Sequence, residues 1–216
     1  MDPVFLLDTV RAGHLIGLAF GLGLALCADI LALTTLFRKI TATDLTLLKW
    51  MHWVVYLGLG ILWVSGLLIL WMQTGGDPAA ISPMMITKLV VTLLLTLNAR
   101  MIGSTVLPVL KRNVGKRFGA LPLVTRIHFG AIAALSLACW LSALALGAFT
   151  HLEQMGFSEL QVYLAPPILL GLVVPIMTGI SARILGRVDQ EEAFKASLRP
   201  TPRAEFSTNA GKIWPS

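Results

Sequence analysis

The chain has 216 residues; 56% are hydrophobic, only 13% are charged, and the mean hydropathy is +0.80. A soluble domain carries about 25% charge, so the composition argues against a water-soluble globular enzyme and against a disordered chain. A net charge of +6 and a pI of 9.8 would suit nucleic acid, but the basic residues fall between apolar runs, where a membrane topology explains them and no nucleic acid is needed.

Five apolar runs are each long enough to cross a bilayer, covering about residues 12–37, 50–72, 84–110, 127–150 and 160–185. Crossing takes roughly 20 helical residues, whereas barrel strands alternate over about ten. Backbone groups in lipid must pair within their own segment, so the runs should be helices. The fold class is therefore an all-α integral membrane domain over residues 1–188, a four-helix bundle with a fifth helix appended. Residues 189–216 turn polar and read as a mostly disordered cytoplasmic tail. The first run is too long for a cleavable signal, and Asp2 and Asp8 occupy the place of a basic leader.

Lys and Arg set the orientation. Arg38, Lys39 and Lys49 lie between the first two runs, and Lys111, Arg112, Lys116, Arg117 and Arg126 between the third and fourth. The opposite side offers Arg11 and Lys88 against Asp2, Asp8, Asp77, Glu153 and Glu159. The expectation is a multi-pass protein of a bacterial inner membrane, N-terminus periplasmic and C-terminus cytoplasmic.

In the first run Gly13, Gly17, Gly21, Ala25 and Asp29 recur every four positions, and His14 shares the azimuth of Gly21 and Ala25. Such a stripe lets another helix, including one of a partner subunit, pack closely on the Gly13/Gly17/Gly21 face. It also makes room for a flat ligand beside His14. The second run places His52, Tyr56, Gly60, Trp63 and Gly66 on one face. The third carries Lys88, Thr92, Thr96, Ala99 and Gly103 as a polar or small stripe, with Asn98 and Arg100 deeper than a side chain easily escapes. Charge in lipid is costly and usually paired; Asp29 lies at a similar depth, so an Asp29–Arg100 structural ion pair is expected. The fourth run holds His128 and Cys139, and His151 follows its outer end. Cys27 and Cys139 sit in apolar runs as core residues, with no disulfide or zinc spacing.

Depth sorts the histidines into two layers, His14 with His151 near the outer surface and His52 with His128 near the inner one. Bis-histidine haem b ligation needs two imidazoles at one depth on facing helices. The outer layer also gathers Met72, Met84, Met85 and Met155, and His14, His151 and the thioethers of Met84, Met85 and Met155 form a donor set suited to Cu(I). Nucleotide-binding Gly loops, CxxCH, HExxH and intramembrane carboxylate pairs are missing.

The order "AGHLIGLAFGLG", then Trp63-x-Ser65-Gly66, then "TKLVVTLLLTLNAR" resembles small bacterial membrane families, the J-type protoporphyrinogen oxidase and the copper resistance protein D group, over roughly residues 10–150. The resemblance to the oxidase implies that His14 and Lys88 bind a tetrapyrrole; where that family has a further His near the end of the third span, this chain has Asn98, Ala99 and Arg100. Three readings follow: a haem- or tetrapyrrole-binding bundle with His14, Lys88, His52, His128 and His151 as candidate contacts; a copper-handling protein; and a non-catalytic scaffold of a larger membrane complex. Whether the chain is an enzyme stays open at this point.

Overall fold

The computed structural model describes residues 3–166 and, beyond them, Ile168, Leu169, Val173, Met177 and Lys195. Among the described residues four helices are long and apolar enough to cross a membrane. These are α1 (Pro3–Phe37), α2 (Ala42–Thr74), α3 (Pro83–Arg112) and α4 (Leu123–Ala148). At 1.5 Å per residue they run roughly 40 to 50 Å, beyond the roughly 30 Å of a hydrocarbon core. They pack as a ring, α1 on α2, α2 on α3, α3 on α4 and α4 back on α1. The pairs α1/α3 and α2/α4 are therefore diagonal.

Helices α1 and α2 begin earlier than their apolar runs. Asp8 and Arg11 continue α1 as an i, i+3 ion pair at 3.7 Å. Helix α2 starts in polar sequence because Thr41 and Asp44 close a capping box. The Asp44 carboxylate also accepts from Arg38 at 2.5 and 2.8 Å, and this hydrogen bond raises the Arg38 guanidinium above its ordinary value. Helix α2 ends on Gly75 at φ +61°, a left-handed cap that favours glycine. Helix α3 opens with Ser82 accepting from the Met85 amide and Pro83 in the first turn.

Helix α3 is not uniform. Residues Ile102–Val106 form a π-turn, in which the Leu107 amide bonds the Ile102 carbonyl. Pro108 supplies no N–H to the Ser104 carbonyl, so the regular ladder breaks here.

The main core joins Leu18, Leu59, Leu62, Val91, Leu95, Cys139, Trp140 and Leu146. Helix α4 is the most enclosed of the four, with half of its most apolar window buried against 17% for α1. A second, smaller core of Ile40, Leu45, Leu110 and Phe129 lies under the loops joining α1 to α2 and α3 to α4. Those loops are clasped: Lys39 and Arg117 form an antiparallel bridge, the Ile40 amide donates to the Lys116 carbonyl at 2.9 Å, and the Gly115 amide to the Ile40 carbonyl at 2.8 Å. Residues 157–166 are helical, and Leu160 there packs into the main core beside Leu152 and Met84. Apart from the single positions named above, the rest of the fifth apolar run and the 189–216 tail lie outside the described residues.

Candidate functional site

The glycine face of α1 is spent inside the protein. A Cβ on Gly17 would lie 3.0 Å from the Gly58 carbonyl oxygen, and one on Gly58 would lie 3.0 Å from that of Gly17, so α1 and α2 meet backbone to backbone. A Cβ on Gly21 would lie 2.0 Å from the Trp140 ring, itself 1% exposed. The flat group that fills the space beside Gly21 is thus the indole of α4. Gly13, one turn nearer the N-terminus than Gly17, has nothing within 4 Å of its Cβ position.

One turn from Gly17, the His14 imidazole lies against α2, 3.4 Å from a Cβ placed on Gly66. Its Nδ1 is 2.8 Å from the Ser65 hydroxyl, and that hydroxyl donates to the Ile61 carbonyl at 2.5 Å. A hydroxyl has one proton. With that proton on Ile61, Ser65 can only accept, so His14 donates from Nδ1 and keeps the lone pair on Nε2. A histidine held through one nitrogen with the other bare is the arrangement used to present a ligand nitrogen to a metal. The Lys88 ammonium, on the diagonal helix α3, lies within electrostatic reach of both the His14 ring and the Glu153 carboxylate. Lys88 and His14 are each part-buried. Below them Trp63 donates its Nε1–H to Thr96 at 2.9 Å, tying α2 to α3.

The other expected site residues fall differently. His151 is exposed, with its ring 6.0 Å from Phe149 and 5.5 Å from Tyr163, and it makes no ring contact with His14. His128 is exposed on α4. His52, on the diagonal helix α2, packs its ring 4.7 Å from Tyr56 and presses Nε2 toward Gly103 of the π-turn, 2.9 Å from the Cβ position there. The structure does not bring His52 and His128 together as facing ligands. Depth along a helix was the same, but azimuth and diagonal placement separate them. Met84 is 3% exposed and packs with Leu146, Leu152 and Leu160, and Met155 packs against the same cluster; Met85 is part-buried. Among the described residues no group of three or more His, Cys, Asp or Glu could hold a metal ion.

Asp29 and Arg100 do not pair. Among the described residues the ion pairs given by the structure are Asp8–Arg11 and Arg38–Asp44. Arg100 is exposed while its neighbours Asn98 and Ala99 are buried, and Asp29 is part-buried on the diagonal helix. Matching depth again fails to fix azimuth.

Sequence reasoning passed over Ser65, Glu153 as a neighbour of Lys88, and Trp140. Ser65 had a signal: it is the one hydroxyl in Trp63-x-Ser65-Gly66, toward the end of α2 where antiparallel α1 brings His14. Trp140 had none, since a tryptophan within an apolar run carries no mark of its partner. Compared with models of protein families, with curated proteins and with solved structures, the chain finds no match.

Proposed function

We propose that this chain is a multi-pass inner-membrane protein that binds a tetrapyrrole, haem b in the simplest case, at the outer end of its bundle. The observation that supports the reading is the hydrogen-bond chain His14–Ser65–Ile61, which favours the proton on Nδ1 and so a lone pair on Nε2 in a part-buried setting. The residues present fit such a group. His14 would hold its metal through Nε2, and Lys88 would pair with a carboxylate edge, as the J-type oxidase resemblance implies for these two positions. When bound, haem supplies one-electron redox chemistry. The chain's part is to orient His14 through Ser65 and to hold a cation at Lys88 beside Glu153. Gly17 and Gly21 do not accommodate the plane, because Gly58 and Trp140 already occupy that volume. His128 and His151 are exposed and take no part in this reading. The periplasmic N-terminus and cytoplasmic loops follow from the concentration of Lys and Arg at the clasped end.

Copper handling and a scaffold role have less behind them. Met84 and Met155 are engaged in an apolar cluster, and Gly17 and Gly21 of the glycine face offered to a partner are covered from within.

The test is an absorbance spectrum of the purified full chain, oxidised and dithionite-reduced, with His14→Ala and Lys88→Ala beside it. A Soret band lost in His14→Ala and weakened in Lys88→Ala is expected. A band that survives His14→Ala, or none in a folded protein reconstituted with haem, overturns the reading.

A further inference from the structure

A groove of about 820 Å³ runs along the outward face of α2. On α2 it is lined by Trp50, Trp53, Leu57, Gly60, Val64 and Leu68 among others, and Val10 and Gly13 of α1 with Ser65 border it as well. Trp50, Trp53, Leu57 and Val64 are each more than 60% exposed, and a Cβ on Gly60 would meet nothing within 4 Å. The eighteen steps from Trp50 to Leu68 span roughly 27 Å, close to a whole hydrocarbon core. The half from Trp50 to Gly60 spans roughly 15 Å, the depth of one leaflet.

That half meets the basic end of the bundle. Lys49 is exposed and shares the helix face of Trp53 and Gly60, four and eleven positions on. Lys39, Lys111 and Arg112 are exposed at the same end. The carboxylate of Asp44, which could have neutralised them, is committed to Arg38 and to the Thr41 cap. Two tryptophans beneath a lysine are the arrangement of a membrane–water boundary, ring below and cation at the phosphate level.

We propose that this half-groove is a binding site for one anionic phospholipid, its acyl chain lying over Gly60 between Trp53 and Leu57 and its phosphate paired by Lys49. The charge of the clasped end selects the anionic headgroup over a zwitterionic one. The inference rests on the chain crossing the membrane and is independent of any tetrapyrrole at His14.

The experiment is native mass spectrometry of the full chain in detergent, titrated with phosphatidylglycerol or phosphatidylcholine of identical acyl chains. Lys49→Gln and Gly60→Phe are measured alongside; both positions are exposed, and unchanged helicity and melting confirm the fold. One phosphatidylglycerol retained per chain is expected, in preference to phosphatidylcholine, with retention falling about fivefold in Lys49→Gln and lost in Gly60→Phe. Equal retention of the two lipids overturns the headgroup assignment. Retention unchanged in Gly60→Phe overturns the groove, as does a dimer that Gly60→Phe dissolves, because the occupant would then be a second copy.

Discussion

The two ends of the bundle are built on opposite principles. At the clasped end the polar groups are spent on one another: Arg38 on Asp44, Asp44 on Thr41, Ile40 on Lys116, and Gly115 on Ile40. Ile40 beneath them is 2% exposed in its own small core. At the other end His14 is fixed through one nitrogen only, and Lys88 reaches His14 and Glu153 electrostatically without a hydrogen bond to either among the described residues. The first arrangement commits its one carboxylate and its loop backbone to the fold, leaving only the lysines and arginine at its surface. The second holds a cation beside Glu153 and, on the proposed reading, an uncommitted lone pair on His14.

Substitutions should separate the two kinds of role. The largest loss is expected at neither end but in the seam between them. Gly21→Ala drives a methyl group into the buried Trp140 ring, at a cost of about 2–3 kcal/mol, read as a fall in melting temperature in detergent. Gly13→Ala, two turns earlier on the same stripe and facing open space, should change stability by less than about 0.5 kcal/mol. Equal effects would mean that the stripe packs on something other than Gly58 and Trp140.

Next comes the clasp. Arg38→Ala leaves the Asp44 carboxylate, whose side chain is 10% exposed, without its guanidinium and should lower the melting temperature, by less than Gly21→Ala does. Lys88→Ala should leave melting unchanged while altering the spectrum. If Lys88→Ala melts as early as Arg38→Ala, the division between the ends is wrong.

Ser65→Ala comes third. It removes the acceptor that fixes His14, and losing such a supporting bond lowers metal or haem affinity about tenfold with little change in melting. An effect of the opposite sign is expected at Asn98, 1% exposed, whose Oδ1 is buried with no hydrogen-bond partner among the described residues. Asn98→Leu should be neutral or stabilise by up to about 1 kcal/mol; a clear loss of stability would show that Oδ1 has a partner after all.

The sequence carries the helices well because twenty apolar residues in a row have few other solutions. It carries His14 and Lys88 as a pair because both sit near the same surface. It carries the asymmetry of charge because Lys and Arg are counted without knowing any contact. Azimuth is what it conceals. Asp29 and Arg100 share a depth, as do His52 and His128, yet the ring order of the helices puts each pair on a diagonal, with Arg100 and His128 facing outward. Helix ends were hidden for a different reason. Hydropathy stops at the last apolar residue, whereas α2 starts at a cap written in Thr41 and Asp44. The π-turn in α3 follows from Pro108 only once the helix is known to continue through it.

The most direct test of the account is the protonation of one ring. With the cofactor-free chain labelled with ¹⁵N-histidine, the His14 resonances assigned through His14→Ala report which nitrogen bears the proton. The account predicts Nδ1–H with a bare Nε2 at neutral pH, and a shift toward Nε2–H in Ser65→Ala. Nε2–H in the unaltered chain would contradict it, because the lone pair would then face Ser65 and no ligand nitrogen would be presented.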